Sequence, residues 1–200
     1  MQIIVITSPI PVKDEAIICN AHFAHGLEFL HLLKPDAPKK VYEKFIQQIE
    51  IRYRNRIIIH DHYDLVRKYQ LRGIHLKSEK GNDHILYPDM HISISCHNLE
   101  EIQNLPFQPA YCFLSPVFNS ISKPGYQSKF PTLPDPGGCP IPVVALGGIS
   151  PVTIDSCRQA GFYGVATLGY IWEKPEEALS RYIRLKTPFV LSIAGFDPSS

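Results

Sequence analysis

The chain has no apolar run near the roughly 18 residues that a membrane-crossing helix needs. Its opening stretch, Met1-Gln2-Ile3-Ile4-Val5-Ile6, has no basic residues before a short apolar segment, so it does not read as a secretory leader. It also lacks a dominant charge. Twenty Lys plus Arg face nineteen Asp plus Glu for a net +1, which leaves no overall field to recruit nucleic acid or an anionic membrane. Cysteine is scarce and unpaired: Cys19, Cys96, Cys112, Cys139 and Cys157 are odd in number, with no C-x-x-C among them. That pattern argues against a disulfide or zinc framework and for reduced thiols in a cytoplasmic protein. No G-x-G-x-x-G follows the first apolar stretch, which removes the main signal of an open dinucleotide-binding sheet.

What is present is alternation. Short apolar runs, several of them β-branched, occur near residues 3–7, 27–33, 56–60, 73–76, 91–96, 110–115, 142–146 and 163–168. Several are apolar almost throughout, as in Ile57-Ile58-Ile59 and Val143-Val144-Ala145-Leu146, as suits parallel strands covered by helices. Between them, Lys39 to Arg54 carries Val41, Phe45, Ile46, Ile49 and Tyr53 at helical spacing. Asn98 precedes a helix with acids in its first turn, Ser150-Pro151 reads as a cap followed by a first-turn proline, and Gly161 as the stop. Glu173 to Leu185 reads as a last amphipathic helix. Eight strands alternating with about seven helices predict an α/β chain folded as a (β/α)8 TIM barrel.

A barrel of this kind places its site at the C-terminal strand ends. The polar residues there are His31 and Lys34, then His60-Asp61-His62, His75 with Lys77, His97, and Ser115 through Lys123. The glycines at the same rim are Gly147, Gly148 and Gly169. The stretch His60-Asp61-His62 contains metal-ligand types, with the two histidines on one face if the strand continues. Asp61 alone suits a hard cation such as Mg2+ shared with substrate phosphates, or simply caps the helix that follows. Gly147-Gly148, closing an apolar strand, let backbone amides approach a phosphate with no Cβ in the way. Ser120, Ser122 and Lys123 supply hydroxyls and an ammonium for a second anion. Two anion sites across one rim imply two phosphorylated substrates, or one phosphorylated at both ends. The long connection from Asn119 to Pro142, with six prolines and three glycines, has the length of a functional loop.

In order along the chain, Gly73-Ile74-His75-Leu76, Ser95-Cys96-His97, Ser115-Pro116-Val117-Phe118-Asn119-Ser120-Ile121-Ser122-Lys123 and Pro142 through Ile149 resemble the motifs of the thiamin phosphate synthase and TenI family. The resemblance runs from about residue 3 to 185. It implies thiamin biosynthesis: hydroxymethylpyrimidine diphosphate is joined to thiazole phosphate and diphosphate is released. It further implies Mg2+ on Asp61, a diphosphate loop ending in Lys123, and catalytic roles for His97 and Lys123. Substrate contacts would fall to His31, Lys34, His60, His75, Ser120, Ser122, Gly147, Gly148 and Gly169. Departures from the family pattern are Leu33 at an arginine position, Lys80 at a second metal aspartate, and Gly169 at a serine. They keep two alternatives open. One is a TenI-type tautomerase aromatising thiazole carboxylate phosphate without a metal, with His97 moving the proton. The other is a non-catalytic protein that binds thiazole or thiamin phosphate. Beyond an expected barrel unit of residues 1–186, the stretch 189–198 within a tail of residues 187–200 resembles the truncated start of a hydroxymethylpyrimidine phosphate kinase.

Overall fold

The computed structural model describes residues 1–119, 128 and 130–187. Ser120, Ser122 and Lys123 of the expected anion loop, and nearly all of the kinase-like tail, lie outside the described residues.

The strands are β1 Gln2–Ile6, β2 Phe29–Leu32, β3 Ile57–Ile59, β4 Gly73–Leu76, β5 His91–Cys96, β6 Tyr111–Leu114, β7 Val143–Leu146 and β8 Gly164–Thr167. Each pairs in parallel with the next, and β8 closes on β1 through Gln2 to Gly164 and Val5 to Thr167. Helices α1 Glu15–Ala24, α2 Lys39–Gln48, α3 Leu65–Tyr69, α4 Leu99–Gln103, α5 Ile154–Gln159, α6 Gly169–Trp172 and α7 Ala178–Lys186 lie between and after them. The (β/α)8 barrel expected from the sequence is the fold. No helix among the described residues is long and apolar enough to cross a membrane.

Strand alternation divides the core in two. Val5, Leu30, Ile57, Ile59 and Val165 point outward and pack with Phe45, Ile46 and Tyr182 of the helices. Ile4, Ile6, Ile58, Val144 and Ala166 point inward with Tyr111 and Phe113. Register then fixes what else points inward. His31 pairs with Ile6 and Ile58, His75 with Ser93, and Ser95 with Phe113.

Three helix expectations need correction. The run from Lys39 stops at Gln48, where Ile49 turns extended, and a separate 3-10 turn covers Ile51–Arg56. Pro151 is not a first-turn residue: α5 begins at Ile154, and Thr153 Oγ1 donates to Gly148 O at 2.9 Å. The last helix, expected from Glu173 to Leu185, is divided into a 3-10 turn Pro175–Glu177 and α7. The Asn98 cap is as expected, its side chain accepting from Glu101 N at 2.8 Å. Gly161, at φ +82°, ends α5.

Candidate active site

At the C-terminal ends of the strands a pocket of about 360 Å³ opens onto the barrel axis. Two glycine turns form one side of it. Gly147 and Gly148, after β7, have φ of +102° and +64°, and Gly169 stands after β8. Gly147 and Gly148 are needed twice over. Besides presenting bare backbone to the pocket, they admit the chain after β6: a Cβ on Gly148 would fall 2.5 Å from Asn119 O and 2.6 Å from Phe118 Cβ. The pair therefore has a packing role besides the phosphate approach expected of it.

The opposite side is imidazole. His60 and His75 line the pocket with rings stacked at 4.3 Å, and His31 lies beneath them, fully buried. His31 Nδ1 meets His60 Nε2 at 2.9 Å, and its Nε2 meets the Tyr111 hydroxyl at 2.6 Å. His75 is held at both ring nitrogens, by Ser93 Oγ and Ser95 Oγ at 2.8 Å each. Burial, reinforced by the surrounding imidazoles, holds His31 well below the usual histidine range. Burial likewise depresses His75, with His60 adding to the effect. Burial and then Lys77 bring His60 down to about 3. All three rings are neutral at pH 7.

The other expected site residues are placed as follows. Lys34 is nine-tenths buried and turns away from the pocket, bonding Ser8 O at 2.7 Å and pairing with the buried Glu15 carboxylate. Asp61 is exposed, one residue beyond His60, and accepts from the Tyr42 hydroxyl at 3.3 Å. It does not cap α3, which starts after Asp64. His62 does not share a face with His60: β3 ends at Ile59, His62 takes φ +55°, and its Nε2 meets Ala37 O at 3.0 Å. His97 is outside the pocket lining, its Nδ1 facing Ser115 O at 3.3 Å. Burial, then Asp61, Tyr87 and Asp83, raise the Tyr63 phenol, so the carboxylates of Asp61 and Asp83 act on one ring.

Three contributors, Lys77, Tyr111 and Ser93, have no motif behind them. Among the described residues Lys77 is the one charged side chain lining the pocket. Tyr111, Ser93 and Ser95 orient the imidazoles. The alternation His91-Ile92-Ser93-Ile94-Ser95 carries the signal for the serines, since every second position of a barrel strand points inward. Leu33, the departure from an arginine, lines the pocket itself.

A family model described as thiamine monophosphate synthase matches residues 3–171. The thiamine-phosphate synthase of Latilactobacillus sakei is 30% identical over 176 residues, covering 78% of this chain and 73% of that protein. That of Proteus mirabilis is 28% identical over 178 residues, covering 80% of each. A crystal structure of thiamine phosphate pyrophosphorylase from Bacteroides thetaiotaomicron superposes with a TM-score of 0.75 at 28% identity, covering 93% of this chain and 96% of that one.

Proposed function

The chain belongs to the thiamine monophosphate synthase family, and from that premise we propose how its pocket serves the family's reaction. The protein is a transferase of thiamin biosynthesis, a thiamin-phosphate diphosphorylase. Its substrates are small and phosphorylated: hydroxymethylpyrimidine diphosphate and thiazole phosphate. The bond from the pyrimidine methylene to diphosphate breaks, the thiazole nitrogen bonds that carbon, and diphosphate leaves.

The glycine side supports binding of the thiazole phosphate. Gly147, Gly148 and Gly169 offer backbone with no side chain to a phosphate oxygen, as barrels of this fold do after strands seven and eight. The imidazole side supports holding the pyrimidine. The stacked His60 and His75 rings offer an aromatic surface to it, and His31 fixes the His60 ring through Nε2, which leaves His60 Nδ1 for a polar contact. Lys77 is available to the departing anion within the pocket, and Ser120, Ser122 and Lys123 join it in this reading. The donor set fits Mg2+: Asp61, with Asp83 on the same tyrosine, offers the oxygen ligands a hard cation takes. When bound, the ion would neutralise diphosphate. Lys34 is assigned to structure, as the partner of Glu15. The catalytic unit is taken as residues 1–186.

The observation that carries this reading is one pocket with a backbone-lined side opposite an imidazole side. The tautomerase alternative gains nothing from the geometry, because its proton carrier His97 stands off the pocket lining. Incubation with both substrates, with and without Mg2+, followed by mass analysis, tests the proposal. Thiamin phosphate and diphosphate in equal amounts, only with Mg2+, are expected. No coupled product, with conversion of thiazole carboxylate phosphate in a parallel incubation, would overturn it.

A further inference from the structure

We propose that His31, His60 and His75 form a second cation site, a three-imidazole cup for a divalent transition ion of the Zn2+, Co2+ or Ni2+ class. Each residue offers one ring nitrogen, and the three lie within 4.8 Å of one another. Tetrahedral coordination at about 2.0–2.1 Å per bond puts ligand nitrogens somewhat over 3 Å apart. The cup therefore needs only a small contraction on one side, and a slight opening of the 2.9 Å His31–His60 contact.

The supporting groups select which nitrogens can bind. Ligating histidines are commonly oriented by a second bond at the other ring nitrogen. Tyr111 takes Nε2 of His31 and leaves Nδ1 facing the cup, where His60 Nε2 already sits. The fully buried Ser93 holds His75 Nδ1, whereas Ser95, on Nε2, lines the pocket and is the partner that can yield. Occupancy requires the ring protons on Nε2 of His31, Nδ1 of His60 and Nδ1 of His75, an arrangement of neutral tautomers with no net proton release. The donor set is all nitrogen and all neutral, which suits borderline transition ions and not Mg2+. His60 and His75 line the pocket, which supplies both an entry path and an open fourth position. The site is thus separate in chemistry from the oxygen donors of Asp61.

The test is titration of the full chain with Co2+ in the absence of any substrate, read by visible absorption. One equivalent giving the intense bands of four-coordinate Co2+, unaffected by millimolar Mg2+, is expected. His31→Gln and His60→Asn, each checked by circular dichroism, should weaken binding by more than the roughly 10–100-fold that loss of a supporting partner costs. His60, at the pocket edge, serves if the buried His31 variant does not fold. A weak six-coordinate spectrum, or unchanged affinity in a folded variant, would overturn the proposal. Because no substrate is present, that result would leave the transferase reading standing.

Discussion

On the β7–β8–β1 side, the barrel interior is built from Ile4, Ile6, Val144 and Ala166, while β2 to β5 send His31, His75, Ser93 and Ser95 into the same space. The two halves solve recognition differently. The hydrocarbon half carries no polar side chain to the pocket from those positions, so its polar surface is the backbone of the turns above it. That surface depends on glycine and is indifferent to pH. The imidazole half works through side chains held neutral by burial, so its behaviour follows proton and metal concentration. A phosphate suits the first, and a heteroaromatic ring or a borderline transition-metal cation suits the second.

The largest effect expected from breaking this division is on the glycine side. Gly148→Val would place a Cβ 2.5 Å from Asn119 O at a φ of +64°. The left-handed backbone alone costs about 1–2 kcal/mol, and the collision with main chain adds to it. Loss of several degrees in thermal midpoint, or of soluble protein, is expected; an unchanged midpoint would show that the turn has slack. At the rim above the imidazoles, Asp61→Asn removes the charge that would hold Mg2+ while leaving an exposed side chain of equal size. Turnover should fall about a hundredfold, roughly 2.7 kcal/mol, with unchanged unfolding in denaturant. Full activity would take the metal role from Asp61.

The imidazole half should also register acid. His60 titrates at about 3 in the folded chain but near 6.5 when unfolded. Below pH 6.5 the unfolded chain therefore binds protons that the folded chain refuses, and stability falls as pH drops. Each depressed histidine contributes a slope of about 1.4 kcal/mol per pH unit, for His60 down to about 3. Denaturant unfolding at pH 7, 6 and 5 measures it, and His31→Gln should flatten the slope. A flat profile in the parent protein would mean the rings are not buried neutral. The smallest effect is reserved for His97→Asn. Off the pocket lining, it should change the synthase rate by less than about tenfold, under about 1.4 kcal/mol. A dead variant would favour the tautomerase.

The barrel was legible because its strands are short runs rich in apolar residues whose expected ends lie within two residues of those observed, as at Gly73–Leu76 and His91–Cys96. The break after Gln48 was not, since Ile49 and Tyr53 keep the helical spacing across it and are both buried. The glycine turn could be read from Gly147-Gly148 because backbone need is local. The imidazoles could be read as sharing one rim, but not as touching one another. His31 and His75 come from β2 and β4 and His60 from the turn just after β3, and only the register of those strands brings them together. The fate of Lys34 was hidden for the same reason, as its partner Glu15 belongs to α1. Residues near in sequence announce their role, whereas residues joined by barrel closure do not.

The division of the pocket is tested most directly by a crystal structure with thiazole phosphate bound. The account predicts the phosphate at the Gly147-Gly148 turn, within hydrogen-bond reach of its amides, with the thiazole ring pointing toward His60 and His75. A phosphate seated among the imidazoles, with the glycine turn empty, would contradict it.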